Sequence, residues 1–343
     1  MTLQDYLDCW AEPDPTRAAV ATTLAALARA SVRLAGLIAD GPLAGDVAAV
    51  IGESEDGDGQ KALDAHANTL FRNALAEAPV TVLVSEEEPA PVRLRGGASL
   101  AVALDPLDGS NNIAVNGPLA TIFSILPAAA GDDVAASFRQ PGTSQLAAGF
   151  VLYGPHTSLV LTVRSGVALF ILDRHSGTYR QTRQALSIPE GRNEYAVNAS
   201  NQRHWTQPVR DFVAECVAGS DGPRGRDFNT RWLGCVAAEV YRILLRGGVY
   251  LYPGDDRPGY RRGRLRLLYE ANPLALLAEE AGGAATDGTR RILDLVAREP
   301  HEHAPLILGA REEVGRVGRD QGAGIAAQAS PPLFGTRGLF RAG

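Results

Sequence analysis

Residues 99–112 read SLAVALDPLDGSNN, an apolar run (Leu100–Leu104) followed at once by Asp105, Pro106, Leu107 and Asp108, then Gly109-Ser110. A short apolar run bounded by turn signals reads as a strand buried on both faces. Residues 80–88, VTVLVSEEE, repeat the plan, with a strand predicted over Val80–Val84 and Glu86, Glu87 and Glu88 at its end. Ligands of open α/β sheets bind beyond the carboxyl ends of strands, so two neighbouring strands that end in acids build one negative site. Asp105 and Asp108 stand three apart across a turn opened by Pro106. That spacing lets both carboxylates face the same ions, with the Leu107 carbonyl free to add an oxygen. Gly109 and Ser110 can offer backbone N–H groups to phosphate oxygens. Phosphate-ester hydrolysis needs a divalent ion, an activated water and a stabilised leaving oxygen, and this segment suits that chemistry.

Outward from these strands, residues 14–38 carry apolar residues at helical spacing, with Thr16 near the N-cap and Gly41-Pro42 as the stop. Residues 52–60, GESEDGDGQ, hold three glycines and nothing apolar, which predicts a mobile loop. Helical periodicity returns from Lys61 to Leu75. Residues 119–126, 149–153, 158–164 and 167–172 are strand-like and suggest antiparallel sheet. Beyond Gln184 the pattern changes to helices over 206–217 and 233–246, a strand at VYLYP, and a helix over 270–281 with Pro273 in its first turn and Gly282-Gly283 after it. The expected class is α/β (α+β layered), with sheets sandwiched between helix layers. An N-terminal unit over 1–190, a substrate-binding unit over 191–320 and a flexible tail over 321–343 are expected.

Bulk properties narrow the function. The chain has 343 residues, 45% of them hydrophobic and 21% charged, which is ample for a large core. A net charge of −6 gives no sign of the basic face that nucleic acid would require. Cys9, Cys216 and Cys235 show neither metal-ligand spacing nor a CxxC pair, which points to buried thiols in a reducing compartment. The acidic start MTLQDYLDCWAEPDP lacks the layout of a signal peptide. No window reads as about 18 uninterrupted apolar residues, so no membrane span and a cytoplasmic location are expected. His66, His156, His175 and His204 have no pairing that suggests a metal or a triad and read as structural.

VSEEE, VALDPLDGSNNIAVNG and the run from YLYPGDD through GRLRLLYEANPLALLAEEAGGAATDG together resemble bacterial class I fructose-1,6-bisphosphatases, within the wider group of Mg²⁺-dependent, Li⁺-sensitive sugar phosphatases. The likeness runs from about residue 15 to about residue 312. It implies the sugar-phosphatase fold and hydrolysis of the C1 phosphate of fructose 1,6-bisphosphate. It also implies that Glu86, Asp105, Asp108, Glu270 and the Leu107 carbonyl bind Mg²⁺ (with Mn²⁺ as a substitute), roughly two or three ions per site. Glu87 would help polarise the attacking water, with Asp64 and Asp58 as acids of a mobile loop. Asp108, Gly109, Ser110 and Asn111 would hold the scissile phosphate. Asn198, Tyr252 and Arg264 would hold the sugar and its second phosphate. Arg231 would reach a neighbouring subunit's site in a homotetramer or dimer.

Sedoheptulose 1,7-bisphosphatase activity, alone or in addition, is the nearest alternative, and a weakly active regulatory or assembly subunit is another. Glu270 could instead merely open a helix, and Arg264 could be surface charge beside Arg261, Arg262 and Arg266. The chain departs from the family pattern at Asn111, Ala114, Gly117-Pro118 and Trp232. Ser99 and Leu100 stand where regulated relatives carry Lys-Tyr for AMP, so AMP inhibition of the usual kind is not expected.

Overall fold

The computed structural model describes residues 1–46, 48–53, 59–131 and 133–317. Asp58 and the tail 321–343 lie outside the described residues. The chain opens with helices α1 (Leu3–Ala11) and α2 (Pro15–Asp40), then a ribbon of β1 (Val50–Glu53) and β2 (Gly59–Lys61), then α3 (Ala62–Ala76). Strands β3 (Val80–Ser85), β4 (Val92–Arg93), β5 (Leu100–Asp108), β6 (Leu119–Pro127), β7 (Ala147–Tyr153), β8 (Thr157–Thr162), β9 (Val167–Asp173) and β10 (Thr178–Leu186) follow. Beyond them come β11 (Glu194–Val197), α4 (Gln207–Ala218), β12 (Asn229–Thr230), α5 (Val236–Arg246), β13 (Val249–Tyr252), α6 (Asn272–Glu280), β14 (Ala284–Thr286) and β15 (Leu306–Gly309).

Strands β3 to β10 form one sheet in the order β10-β9-β8-β7-β6-β5-β3-β4, and a second sheet runs β12-β11-β13-β15-β14. Only β3 and β5 are parallel in the first. Side chains alternate between the faces of a strand, and here both faces are covered. Leu83, Val102, Phe123 and Phe170 pack beneath α1, α2 and α3. Val82, Ala103, Phe150 and Val160 face the other way, joining α5, α6 and one face of the second sheet. The outer face of that sheet, with Tyr195, Val249 and Leu251, is closed by Val209 and Phe212 of α4. The result is five layers, helix–sheet–helix–sheet–helix. Burial on both faces explains why the strands read as unbroken apolar runs.

Several sequence expectations shift in detail. Asp14, not Thr16, caps α2, because its Oδ1 accepts the N–H groups of Thr16 and Arg17 at 2.7 and 3.1 Å. Helix α2 does have the length and apolarity to cross a membrane, but half of its apolar window is buried in the first core, as befits a core helix. Part of the expected loop over 52–60 is strand, since β1 and β2 pair antiparallel. Leu100 is fully buried in β5, where it has no surface to offer a ligand. Strand β5 does not stop at Leu104; it continues through Asp108 because Ile122 and Ala120 of β6 supply partners for it.

Candidate active site

The extension of β5 is what makes the site. In a regular strand, residues three apart point to opposite faces. Asp105 pairs with Ile122 but Asp108 pairs with Ala120, so one extra residue is bulged out at Pro106-Leu107. The bulge restores a common side for the two carboxylates. It is pinned by Thr121 Oγ1, which donates to the Pro106 carbonyl at 2.9 Å, and by the Leu107 N–H, which donates to Asp105 Oδ1 at 3.0 Å. Parallel pairing of β3 with β5 sets Ser85 beside Leu104, which delivers Glu86 to the same end.

Glu270 arrives from a widened π-helical turn, Leu267–Ala271, directly ahead of α6. The sequence predicted a plain helix start here. Pro273 has no N–H to return to Tyr269, so the turn before it is free to widen, as happens often at functional sites. The Arg266 N–H donates to Glu270 Oε2 and fixes the side chain. Asp105, Asp108 and Glu270 each bring a carboxylate oxygen within 4.8 Å of the others.

This set is electrostatically unfavourable on its own. Burial pushes the Asp105 carboxyl well above the usual range, and Glu86, Asp108 and Glu270 push it further. Burial raises Glu270 likewise, with Glu86 and Asp108 adding. Glu86, which shares a hydrogen bond with Asp105, is pushed up to about 7 by burial, against the opposing pull of Arg266. Asp108 is raised by burial although Ala237 N–H and Cys235 Sγ–H donate to its Oδ2 at 2.9 and 3.0 Å. The Cys235 thiol is itself pushed well up by burial and by Asp108, so it stays a donor rather than a metal ligand. What remains is a set of hard oxygen donors with an excess of negative charge, Asp105 and Glu270 buried and Asp108 and Glu86 half-buried. Such a set fits a cation of the Mg²⁺ or Mn²⁺ kind and not a soft metal.

Asp64 is buried at the start of α3. Its Oδ2 accepts the Lys61 N–H at 2.9 Å, while its Oδ1 is buried with no hydrogen-bond partner. Burial pushes this carboxyl up to about 7, and the nearby charge of Glu87 adds to the rise. Glu88 does something else. Its Oε1 accepts from Asn68 and Arg72, both at 2.9 Å, which ties the acidic loop down onto α3.

Asn198 and Tyr252 line one pocket with Asp255, Arg257 and Tyr260. Arg264 joins its edge, donating to Tyr260 Oη at 3.1 Å. Gly109 has φ +84, and a Cβ there would meet Cys235 Cβ at 2.9 Å, so only glycine lets the loop after Asp108 close on α5. Ser110 is partly exposed next to it and Asn111 is exposed. The residue that ties this loop down is Asn112, whose Nδ2 donates to the carbonyls of Pro118 and Leu233 at 2.9 and 3.2 Å. Arg231 is exposed beside β12, where its Nη1 donates to the Thr230 carbonyl. Trp232 stacks on Tyr250 with ring centroids 6.1 Å apart.

The fructose-1-6-bisphosphatase N-terminal domain model matches residues 18–184 and the corresponding C-terminal domain model matches residues 188–320. The chain belongs to the fructose-1,6-bisphosphatase family. It is 52% identical over 342 residues to the fructose-1,6-bisphosphatase class 1 of Rhodopseudomonas palustris strain BisB18, covering 99% of this chain and 98% of that one. With the class 1 protein of Methylorubrum extorquens strain PA1 the identity is 50% over 340 residues, again 99% and 98% of the two chains. Among solved structures, the Leishmania major fructose-1,6-bisphosphatase in holo form superposes with a TM-score of 0.87 at 30% identity, covering 94% of this chain and 99% of that one. Like those relatives, the chain is a phosphatase, a hydrolase.

Around this acid set stand further residues that sequence patterning does not single out. Arg266 is buried, not part of a surface patch, and its Nε donates to Tyr269 Oη at 3.1 Å. Tyr269 Oη meets His301 Nδ1 at 2.9 Å, and His301 Nε2 meets the Glu88 carbonyl at 3.0 Å. A chain of polar contacts thus runs from the cation beside Glu86 back to the loop that carries Glu86. Alternation within GRLRLLYE is the one available signal for Arg266. Nothing local in the sequence points to His301.

Proposed function

We propose that this chain hydrolyses the C1 phosphate of fructose 1,6-bisphosphate to give fructose 6-phosphate and inorganic phosphate. The observation that carries the reading is the largely buried, mutually repelling acid set at the ends of the parallel β3–β5 pair, with Gly109 and Ser110 next in line. Asp105, Asp108, Glu270 and Glu86, with the Leu107 carbonyl, are the groups that would hold Mg²⁺, or Mn²⁺ in its place, at roughly two or three ions per site. The bound ions supply Lewis acidity toward phosphate oxygens and lower the pKa of water.

The chain's own groups do the rest. Asp64, whose proton affinity is raised by burial and by the charge of Glu87, takes the proton of the attacking water with Glu87 beside it, as the water oxygen bonds to phosphorus. The bond from phosphorus to the C1 oxygen breaks in line, and that oxygen takes a proton from solvent water, so the sugar leaves as the alcohol. Asp108 and the backbone N–H groups of Gly109 and Ser110 orient the departing phosphate, with Asn111 at the rim. Asn198, Tyr252 and Arg264 hold the sugar and its remote phosphate. Arg can grip a phosphate through two parallel hydrogen bonds, so it is well suited to that end. In this reading residues 1–190 supply all the acids but Glu270, residues 191–320 supply Glu270 and the sugar pocket, and the protein works in the cytoplasm on carbohydrate metabolism.

The direct test is phosphate release from fructose 1,6-bisphosphate and sedoheptulose 1,7-bisphosphate side by side, with Mg²⁺ and with EDTA. Metal-dependent turnover with a higher kcat/KM for the fructose compound is the expected result. No turnover of either by folded protein would overturn the reading. The departures at Asn111, Ala114 and Trp232 motivate the regulatory-subunit alternative, and the intact acid set argues against it.

Arg231 is proposed to complete the site of a partner subunit in a homotetramer or dimer. Its exposure beside Leu233 and Trp232, both large apolar residues left uncovered, supports that placement. Arg231→Ala is expected to lower kcat/KM by about 10- to 100-fold, as loss of a charge-assisted hydrogen bond does. Mixing it with inactive Asp108→Asn should restore activity, because each Arg231→Ala site then receives an intact arginine. Absence of rescue in hybrids verified by mass would count against a shared site.

A further inference from the structure

A second cleft, of about 290 Å³, shares no lining residue with the acid set or the sugar pocket. Four arginines line it, Arg261, Arg262, Arg290 and Arg298, along with His303 and only two carboxylates, Asp287 and Glu302. Both carboxylates are already committed. Asp287 Oδ1 accepts the N–H groups of Thr289 and Arg290 at 2.8 and 2.7 Å, and its Oδ2 accepts Arg290 Nε and Nη2 at 3.3 and 3.2 Å. Glu302, itself buried, accepts Arg262 Nη1 at 2.7 Å and the Arg298 backbone N–H at 2.6 Å. Arg290 and Arg262 are therefore held in place by fixed acids, while the guanidinium groups of Arg261 and Arg298 have no carboxylate partner among the described residues. Four positive charges against two negative ones leave an excess of two facing one cleft.

Exposed arginines are usually answered by acids or dispersed, since like charges at close range repel. Concentrating them on a concave surface, two of them pre-oriented, is the arrangement that recognises a multivalent anion, because each guanidinium offers a planar fork to phosphate or carboxylate oxygens. Leu267, Leu295 and the exposed Val296 add an apolar wall. The volume is at the small end of ligand sites.

We infer that the cleft between Arg261, Arg262, Arg290 and Arg298 is an anion site separate from the reaction centre, built for a small phosphate ester or diphosphate carrying at least two negative charges. The inference stands on this cleft and not on the reaction proposed above.

The experiment is calorimetric titration of inorganic pyrophosphate into the metal-free protein at low ionic strength. Wild type should bind at two classes of site, the cleft and the pocket edged by Arg264. The doubly substituted Arg261→Ala, Arg298→Ala protein should lose one of them, with at least about tenfold weaker binding, and Arg264→Ala should lose the other. The double variant should keep wild-type kcat/KM toward the sugar bisphosphate and an unchanged circular dichroism spectrum. A control pair of exposed arginines elsewhere, Arg174→Ala with Arg183→Ala, should leave both events intact. An unchanged isotherm in the Arg261, Arg298 variant would overturn the inference, and so would an equal loss in the control pair, which would mean only diffuse charge.

Discussion

Asp105→Asn is expected to lower kcat by at least about a thousandfold and, in the metal-free protein, to raise the thermal unfolding midpoint. The two effects have one cause. Asparagine keeps the shape of the side chain and an oxygen for the Leu107 N–H, so the bulge in β5 survives. What it removes is an ionisable group whose charge is opposed by burial and by Glu86, Asp108 and Glu270, so that folding carries the cost either as repulsion or as a retained proton. The folded protein is relieved of that cost, while the cation that needs the charge loses a ligand. Residues kept against the interest of stability are the signature of a working site. Phosphate release at saturating Mg²⁺ together with a melting curve in chelator would measure both. Activity within tenfold of wild type would sink the assignment of Asp105 to the metal. A lower melting point in chelator would show that its charge is compensated by groups not identified above.

Much of this site is readable in the sequence, residue by residue. The end of an apolar run followed directly by acids is a local signal, so the residue pattern alone places Glu86, Asp105 and Asp108 at one sheet edge. Parallel pairing of β3 with β5 then brings them together. The bulge is not readable, because DPLDG looks like a turn until β6 is there to pair with it. The roles within Glu86-Glu87-Glu88 do not separate in sequence either. Glu88 is set apart by Asn68, Arg72 and His301, partners distant in the chain, and no local pattern encodes that. Arg266 is hidden for a similar reason. In a cluster with Arg261, Arg262 and Arg264 it looks like solvated charge, and only the packing of Tyr269 and the nearness of Glu86 draw it inside. Local chemistry is legible; the choice among equivalent neighbours is made by tertiary contacts.

Removing divalent ions is expected to abolish turnover completely while leaving the protein folded, with a stability that falls as pH rises. The sign follows from the direction of the shifts. An acid whose folded pKa lies above its unfolded value costs nothing when it is protonated in both states, below about pH 4. As pH climbs, the unfolded chain releases its proton while the folded chain retains it, and stability is lost until the folded pKa is passed. For Glu86 and Asp64 that loss extends to about pH 7, and for Asp105 and Glu270 the folded pKa lies well above the ordinary carboxylate value. A bound Mg²⁺ removes the penalty by favouring the ionised acids, and it stabilises the folded state by mass action. The measurable quantity is the shift in melting temperature on adding excess Mg²⁺, followed from about pH 5 to about pH 8. It should be smallest at the acid end, where protons occupy the site in competition with the metal, and should grow steadily toward the alkaline end. A shift that is the same at every pH would mean the ion binds where these carboxylates are not, since only a site that must lose protons to take the metal makes its stabilisation depend on pH in this direction.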